Sequence, residues 1–139
     1  MKQTRLRGAF IAAMMTLAAS AAFGQDGTMT TKIPFAFRAV GSDLPAGRYM
    51  VSTTREGSRI MALLNQDTGK KVFIRSSALI AGSEAARPRL IFKCGGEDGC
   101  SLATLWSRTG DGMEFPTPKL TANQRERRET IYLDRFKEK

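Results

Sequence analysis

The chain has 139 residues, enough for one domain, and its 22 lysines and arginines outnumber 13 acidic residues, giving a formal net charge of +9. It contains no histidine, which excludes Ser-His and Cys-His catalytic arrangements. The excess of positive charge favours anionic partners such as lipid headgroups or acidic polymers.

The first 24 residues have the pattern of a secretory signal peptide. Three cations, Lys2, Arg5 and Arg7, come first. An uncharged run of 17 residues follows and ends in small side chains. The run is short against the ~20 residues that a membrane-spanning helix needs, so cleavage after Gly24 is preferred to an anchor. We therefore predict a periplasmic or secreted protein. Removal of the three cations with residues 1–24 lowers its net charge from +9 to +6.

The stretch from Ile33 to Val51 predicts two strands and a turn. Apolar residues alternate along 33–39, the period-2 pattern of a half-buried strand. Pro34 cannot donate a ladder hydrogen bond, so it should lie near the start of the strand or at a sheet edge. The Pro-Ala-Gly sequence at 45–47 predicts the turn of a hairpin, followed by a second alternating strand.

Two more strands are predicted between turn signals. Residues 60–65 are apolar in both phases, which is typical of a central strand covered on both faces. Residues 72–80 alternate and are expected to bend at Ser76 and Ser77.

The two cysteines lie in a second predicted hairpin. Pairing Cys94 with Cys100 across a five-residue loop also fixes the core face. That register predicts Phe92 opposite Leu102, Leu90 opposite Thr104, and Trp106 in the same phase. In an exported chain the pair indicates a structural disulfide, which stabilises by about 2 kcal/mol in so small a ring. The alternatives are a redox dithiol, which would more naturally be C-x-x-C, and a metal site, which needs two further ligands.

The C-terminal segment predicts a short helix and a last strand. Thr121 and Gln124 have capping-box spacing, so a surface helix is expected over 123–128. Residues 130–136 are β-branched and aromatic, and a strand is preferred there to a continuation of the helix.

Seven short strands separated by turns, with one brief helix, predict an all-β fold: a small seven-stranded antiparallel barrel or sandwich with a short helix near the C-terminus. This single β-domain should cover residues 31–136, after a flexible N-terminal segment at 25–30.

Four motifs stand out in the chain: Ile33-Pro34-Phe35-Ala36-Phe37, Leu44-Pro45-Ala46-Gly47-Arg48-Tyr49-Met50-Val51, Leu90-Ile91-Phe92 and Leu105-Trp106. Together they resemble the motifs of a family of small secreted β-domain proteins from Acidobacteria-type soil bacteria. The resemblance implies an exported β-domain and carries no activity or site residues. The C-x5-C hairpin and the arginines at 125–128 depart from the family pattern.

Two sets of side chains are candidate binding residues. Arg125, Arg127 and Arg128 could form an anion-binding patch, although a solvated face partly neutralised by Glu126 and Glu129 is the preferred interpretation. Aromatic residues interleave poorly with these arginines, which argues against nucleic acid. The second set is Phe35, Phe37 and Trp106, which could line an apolar cavity. A packed core is again the preferred interpretation.

The sequence favours a non-enzymatic, exported β-domain that acts as a binding or structural module at the cell envelope, without a cofactor. An apolar-ligand carrier that uses the barrel interior is one alternative. A hydrolase that uses loop carboxylates is the other, with Glu97 and Asp98 or Asp111 and Glu114 as its acidic pairs.

Overall fold

A computed structural model describes residues 28–53, 58–82, 87–96, 99–107, 110–120 and 124–136. These residues form an all-β fold, as the sequence predicts. Its strands are β1 (Met29–Ile33), β2 (Phe37–Ala39), β3 (Ser42–Leu44), β4 (Gly47–Thr53), β5 (Ile60–Asn65), β6 (Lys71–Arg75), β7 (Ala78–Ile80), β8 (Arg89–Cys94), β9 (Cys100–Trp106), β10 (Gly112–Glu114), β11 (Arg127–Tyr132) and β12 (Asp134–Arg135).

The strands form two sheets. The five-stranded sheet has the order β12-β1-β4-β5-β6, and the seven-stranded sheet has the order β11-β8-β9-β10-β7 with the β2–β3 hairpin added beside β9. The pairing of β2 with β9 is parallel, through Phe37 and Cys100, so the predicted purely antiparallel fold of seven strands is wrong. The central position predicted for 60–65 is confirmed, because β5 lies between β4 and β6.

The first predicted hairpin has a different pairing in the structure. The chain leaves the five-stranded sheet at Pro34 and enters the seven-stranded sheet at Phe37, and it returns through Pro45. Each proline directly follows a strand, where its missing N–H interrupts no ladder. The predicted alternation still holds, with Ile33 and Ala39 buried, because both sheets face the same core.

Val40 and Gly41 connect β2 to β3 in a two-residue turn, with φ angles of +45° and +82°. Positive φ at both positions defines a type I′ turn, which favours Asn-Gly and strains a β-branched residue. Because Val40 is 42% exposed, its replacement loses little buried area. We expect Val40→Asn to raise the free energy of unfolding by about 1 kcal/mol in urea denaturation. Val40→Ala is the control, and equal stability of the two variants would contradict the strain.

The core lies between the two sheets and is filled by aromatic rings. Phe92 contacts Phe35 and Phe37 edge-on, with ring centroids 5.1 and 5.2 Å apart. Phe37 in turn packs edge-on against Tyr49 at 5.4 Å. Three of these four side chains are at most 4% exposed, and Phe35 is half-buried. Edge-to-face contacts of this kind stabilise a packed interior beyond the area that they bury.

The cysteine hairpin follows the predicted register only near its loop. The sulfur atoms of Cys94 and Cys100 lie 2.07 Å apart in a disulfide, and Phe92 pairs with Leu102. The register then shifts by one residue, so Leu90 pairs with Leu105 and not with Thr104. This β-bulge reverses the phase of the strand beyond it.

The C-terminal segment is extended where a helix was predicted. Residues 124–126 have no regular structure and β11 begins at Arg127, so the helix prediction is wrong over these residues; Thr121 lies outside the described residues. The predicted strand over 130–136 is present but broken at Leu133, which is buried and whose N–H donates to the Pro88 carbonyl. The pairing of β11 with β8 outweighs the local capping signal for a helix. After Leu133 the chain enters the other sheet, where β12 pairs with β1.

Candidate functional site

The three candidate cavity residues do not converge. Phe35 and Phe37 contact the core ring of Phe92. Trp106 is half-buried on the opposite face of the seven-stranded sheet, because the bulge places Leu105 in the core instead. There the guanidinium of Arg89 lies 5.6 Å from the indole centroid.

The three candidate arginines are exposed: Arg125 precedes β11, and Arg127 and Arg128 are its first two residues. Arg127 pairs with Glu129 at 3.0 Å, and Arg128 pairs with Glu126 at 3.3 Å. These carboxylates reduce the positive potential that an anion would meet. Because they are neighbouring strand residues, Arg127 and Arg128 also point to opposite faces of the sheet. An anion-binding patch at this place stays a hypothesis.

A different surface combines exposed apolar area with positive charge. We call it the Phe73 face: the outer side of β4, β5 and β6. Its apolar centre is formed by Met50, Ile60, Ala62, Leu64 and Phe73. Strand register places these side chains next to one another, since Leu64 is opposite Met50, and Ala62 is opposite Phe73. Cross-strand neighbours on one face lie about 5 Å apart.

The exposure of this centre is unusual for a sheet. The Phe73 side chain is 65% exposed and Ile60 is 40% exposed, although Ile74 and Met61 beside them in the chain are 3% and 0% exposed. The prediction that residues 60–65 are covered on both faces is therefore wrong for Ile60.

Met50 and Leu64 are half-buried and Ala62 is only 3% exposed. The exposed apolar area therefore comes from Phe73 and Ile60. Exposed large apolar side chains with a charged rim are typical of an interaction surface.

Four cations border the centre on the same side of the sheet. Lys71 is opposite Leu64, Arg75 is opposite Ile60, and Lys32 is opposite Arg48. The Lys71 ammonium nitrogen lies 5.3 Å from the centroid of the Phe73 ring, a cation–π contact that orients both side chains. Arg48 lies 3.9 Å from the Asp67 carboxylate, a long and exposed ion pair that offsets little of the positive charge.

The sequence contains a signal for this surface that composition and the assignment of apolar residues to the core do not use. Lys71, Phe73 and Arg75 alternate in one phase of a single strand, while Val72 and Ile74 occupy the other. Since successive strand residues point to opposite faces, the aromatic ring shares its face with the two cations. A large apolar residue between two cations in the same phase indicates an exposed position.

Two open grooves lie elsewhere on the surface and share Ser101, Thr117 and Pro118. The larger, of about 430 Å³, is lined in part by Lys93 and Glu126, and the smaller is of about 290 Å³. Both are open to solvent, and neither is lined by an aromatic side chain of the core.

The described part of the chain holds no group of three or more side chains suited to a metal ion. It also holds no helix with the length and hydropathy needed to cross a bilayer. Comparison with protein-family models, with curated proteins and with solved structures found no match.

Proposed function

We propose that this protein is an exported, non-enzymatic β-domain that acts as a binding module at the cell envelope, and that its Phe73 face docks on anionic lipid surfaces. The observation that carries the proposal is the 65% exposed Phe73 ring, which lies between two cations of its own strand. Export rests on the leader-like pattern of residues 1–24.

The chemistry of the face matches the boundary between headgroups and acyl chains. Apolar side chains such as Phe73 and Ile60 gain free energy by entering the acyl region, while the surrounding cations remain among the phosphates. Each Lys or Arg near an anionic surface contributes about 1 kcal/mol. Four cations and one aromatic ring together are enough for reversible binding, and the attraction should weaken as salt screens the charges.

The packing of the interior supports a binding module over the apolar-ligand carrier, because Phe92 fills the space between Phe35 and Phe37. The hydrolase alternative needs two carboxylates fixed across a cleft. Of its acidic pairs, Asp111 and Glu114 are both exposed, and Glu97 and Asp98 lie outside the described residues.

Vesicle sedimentation tests this proposal on the chain without its leader. We expect binding to vesicles that contain phosphatidylglycerol and little binding to pure phosphatidylcholine, with the affinity falling as salt rises. Phe73→Ser should weaken binding about tenfold, because the variant lacks the ring whose transfer from water into lipid favours binding.

The matched control is Leu79→Ser, which removes an exposed apolar side chain, 46% exposed, from the seven-stranded sheet. It should leave vesicle binding unchanged, as should Arg127→Glu on β11. Absence of binding at low salt, or an equal loss in Leu79→Ser and Phe73→Ser, would overturn the assignment of the lipid surface to this face.

A further inference from the structure

Strand β6 is the last strand of the five-stranded sheet. Among the described residues it pairs only with β5, over Lys71 to Arg75. The outer edge of such a strand presents N–H and C=O groups that another extended chain can bind. The edge lies in the plane of the sheet, whereas the lipid surface proposed above would approach from its face.

Hydrogen bonds at the two ends of the β5–β6 pair show which backbone groups point to that edge. The N–H of Asn65 donates to the Lys70 carbonyl at 2.9 Å, and the N–H of Ser76 donates to the Arg59 carbonyl at 2.7 Å. In an antiparallel pair, hydrogen-bonded and non-hydrogen-bonded residue pairs alternate.

Between these two ends, the register makes Leu63–Val72 and Met61–Ile74 the hydrogen-bonded pairs. Lys71, Phe73 and Arg75 are then the residues whose N–H and C=O groups point away from β5. Their side chains also lie on the Phe73 face. A strand added at this edge would therefore meet a cation, an aromatic ring and a second cation in alternate positions.

We propose that β6 accepts an extended segment of a partner protein as an additional strand, and that this segment carries two carboxylate side chains flanking an apolar residue, in the order acid-x-apolar-x-acid. Opposite charges directly across neighbouring strands stabilise the pair, and an apolar side chain opposite Phe73 adds buried area. Backbone hydrogen bonds supply the affinity and the alternating side chains supply the specificity.

Charge also argues against a second copy of the chain as the partner. An antiparallel pairing of two β6 strands centred on Phe73 would place Lys71 opposite Arg75 at both ends. Like charges directly across a strand pair are destabilising, and cations on an edge strand are a known device against self-association. The same two cations would attract an acidic segment.

The first test uses a labelled peptide, Thr-Glu-Thr-Val-Thr-Glu-Thr, without lipid. We expect fluorescence polarisation to show binding by the mature chain, and hydrogen exchange to show slower exchange at the amides of Lys71, Phe73 and Arg75. The charge-reversed peptide Thr-Lys-Thr-Val-Thr-Lys-Thr should not bind. Equal affinity for the two peptides, or protection located elsewhere, would overturn the proposal.

Matched variants separate the backbone from the charge. Lys71→Thr and Lys71→Pro both remove the ammonium and its contact with Phe73. Only Lys71→Pro also removes the N–H, which makes no bond to β5, and proline is tolerated at such edge positions. We expect Lys71→Pro to bind the acidic peptide roughly fivefold more weakly than Lys71→Thr, the loss of one hydrogen bond. Arg75→Pro and Arg75→Thr repeat the comparison if Lys71→Pro does not fold.

Equal affinities within both pairs of variants would mean that no strand is added. A dimer in sedimentation equilibrium, with slower hydrogen exchange at the amides of Lys71, Phe73 and Arg75, would instead make a second copy the occupant of the edge and would overturn the acidic partner. Because no vesicle is present, these outcomes are independent of the lipid proposal, which can fail while the peptide binds.

Discussion

Phe92→Ala should lower the free energy of unfolding by about 4 kcal/mol. The Phe92 side chain is 0% exposed and lies edge-on to Phe35 and Phe37, so truncation removes both aromatic contacts and leaves a cavity between the two sheets. Small domains are stable by only about 5–15 kcal/mol, so this single change should remove a large part of the total. Urea denaturation measures this loss.

The control for Phe92→Ala is Phe73→Ala, which removes the same atoms from a side chain that is 65% exposed. It should change the free energy of unfolding by no more than about 0.5 kcal/mol. A loss in Phe92→Ala as small as that in Phe73→Ala would show that the interior is not tightly packed around this ring. That result would favour the apolar-ligand carrier over the binding module.

Strands whose pattern is local could be predicted from the sequence. The bounds of β5, Ile60–Asn65, follow from an apolar run between two turn signals. The pairing of Cys94 with Cys100 follows from the short loop between them and from the phase of Phe92. In both cases the residues that decide the structure are close together in the chain.

The exchange of strands between the two sheets could not be predicted. Alternation along 33–39 reports which side chains are buried, but both sheets bury side chains in one core, so the pattern is the same whether or not the chain changes sheets. Pro34 and Pro45 mark the crossings only once the pairing partners are known.

The face of the sheet on which Trp106 lies could not be predicted for a related reason. A bulge inserts one residue and reverses the phase of everything beyond it, and no turn residue marks the bulge between Phe92 and Ile91. The start of β11 was mistaken for a helix because a capping box is a local signal. The pairing of Arg127 and Arg128 with Cys94 and Lys93 is a long-range interaction that local propensity does not include.

The candidate surface was missed because burial was inferred from residue type. Phe73 and Ile60 are apolar, and composition alone assigns such residues to the core. The alternation of Lys71, Phe73 and Arg75 contained the information, but it becomes decisive only when the other phase, with Ile74, is seen to face the interior. The edge position of β6 depends on the order of all five strands, which one sequence does not specify.

The turn between β5 and β6 is organised by Asn65, a polar residue that is only 3% exposed. Its Oδ1 accepts hydrogen bonds from the backbone N–H groups of Asp67 at 2.9 Å and Thr68 at 3.1 Å. Its Nδ2 donates to the hydroxyl of Tyr49 at 3.2 Å, and that hydroxyl donates to the Pro45 carbonyl at 2.6 Å. Burial raises the pKa of Tyr49, so the hydroxyl keeps its proton and remains a donor at neutral pH.

Asn65→Leu should lower the free energy of unfolding by about 3 kcal/mol, because the isosteric side chain leaves two backbone N–H groups without their acceptor. Tyr49→Phe is the control: it removes the hydroxyl but keeps the turn, and should cost about 1 kcal/mol. Urea denaturation of both variants provides the measurement. Equal losses would mean that the two turn N–H groups contribute nothing.

The same substitution should loosen the surface to which both proposals refer. Asp67, in this turn, accepts a hydrogen bond from the N–H of Arg48 on β4, so the turn joins three strands of the Phe73 face. Without Asn65, β6 should separate from β5 at a lower free energy than global unfolding. We expect hydrogen exchange in Asn65→Leu to accelerate at Val72 and Ile74, whose amides bond to β5, more than at Leu90 in the other sheet. Equal acceleration at all three amides would show that the Phe73 face unfolds only with the whole domain.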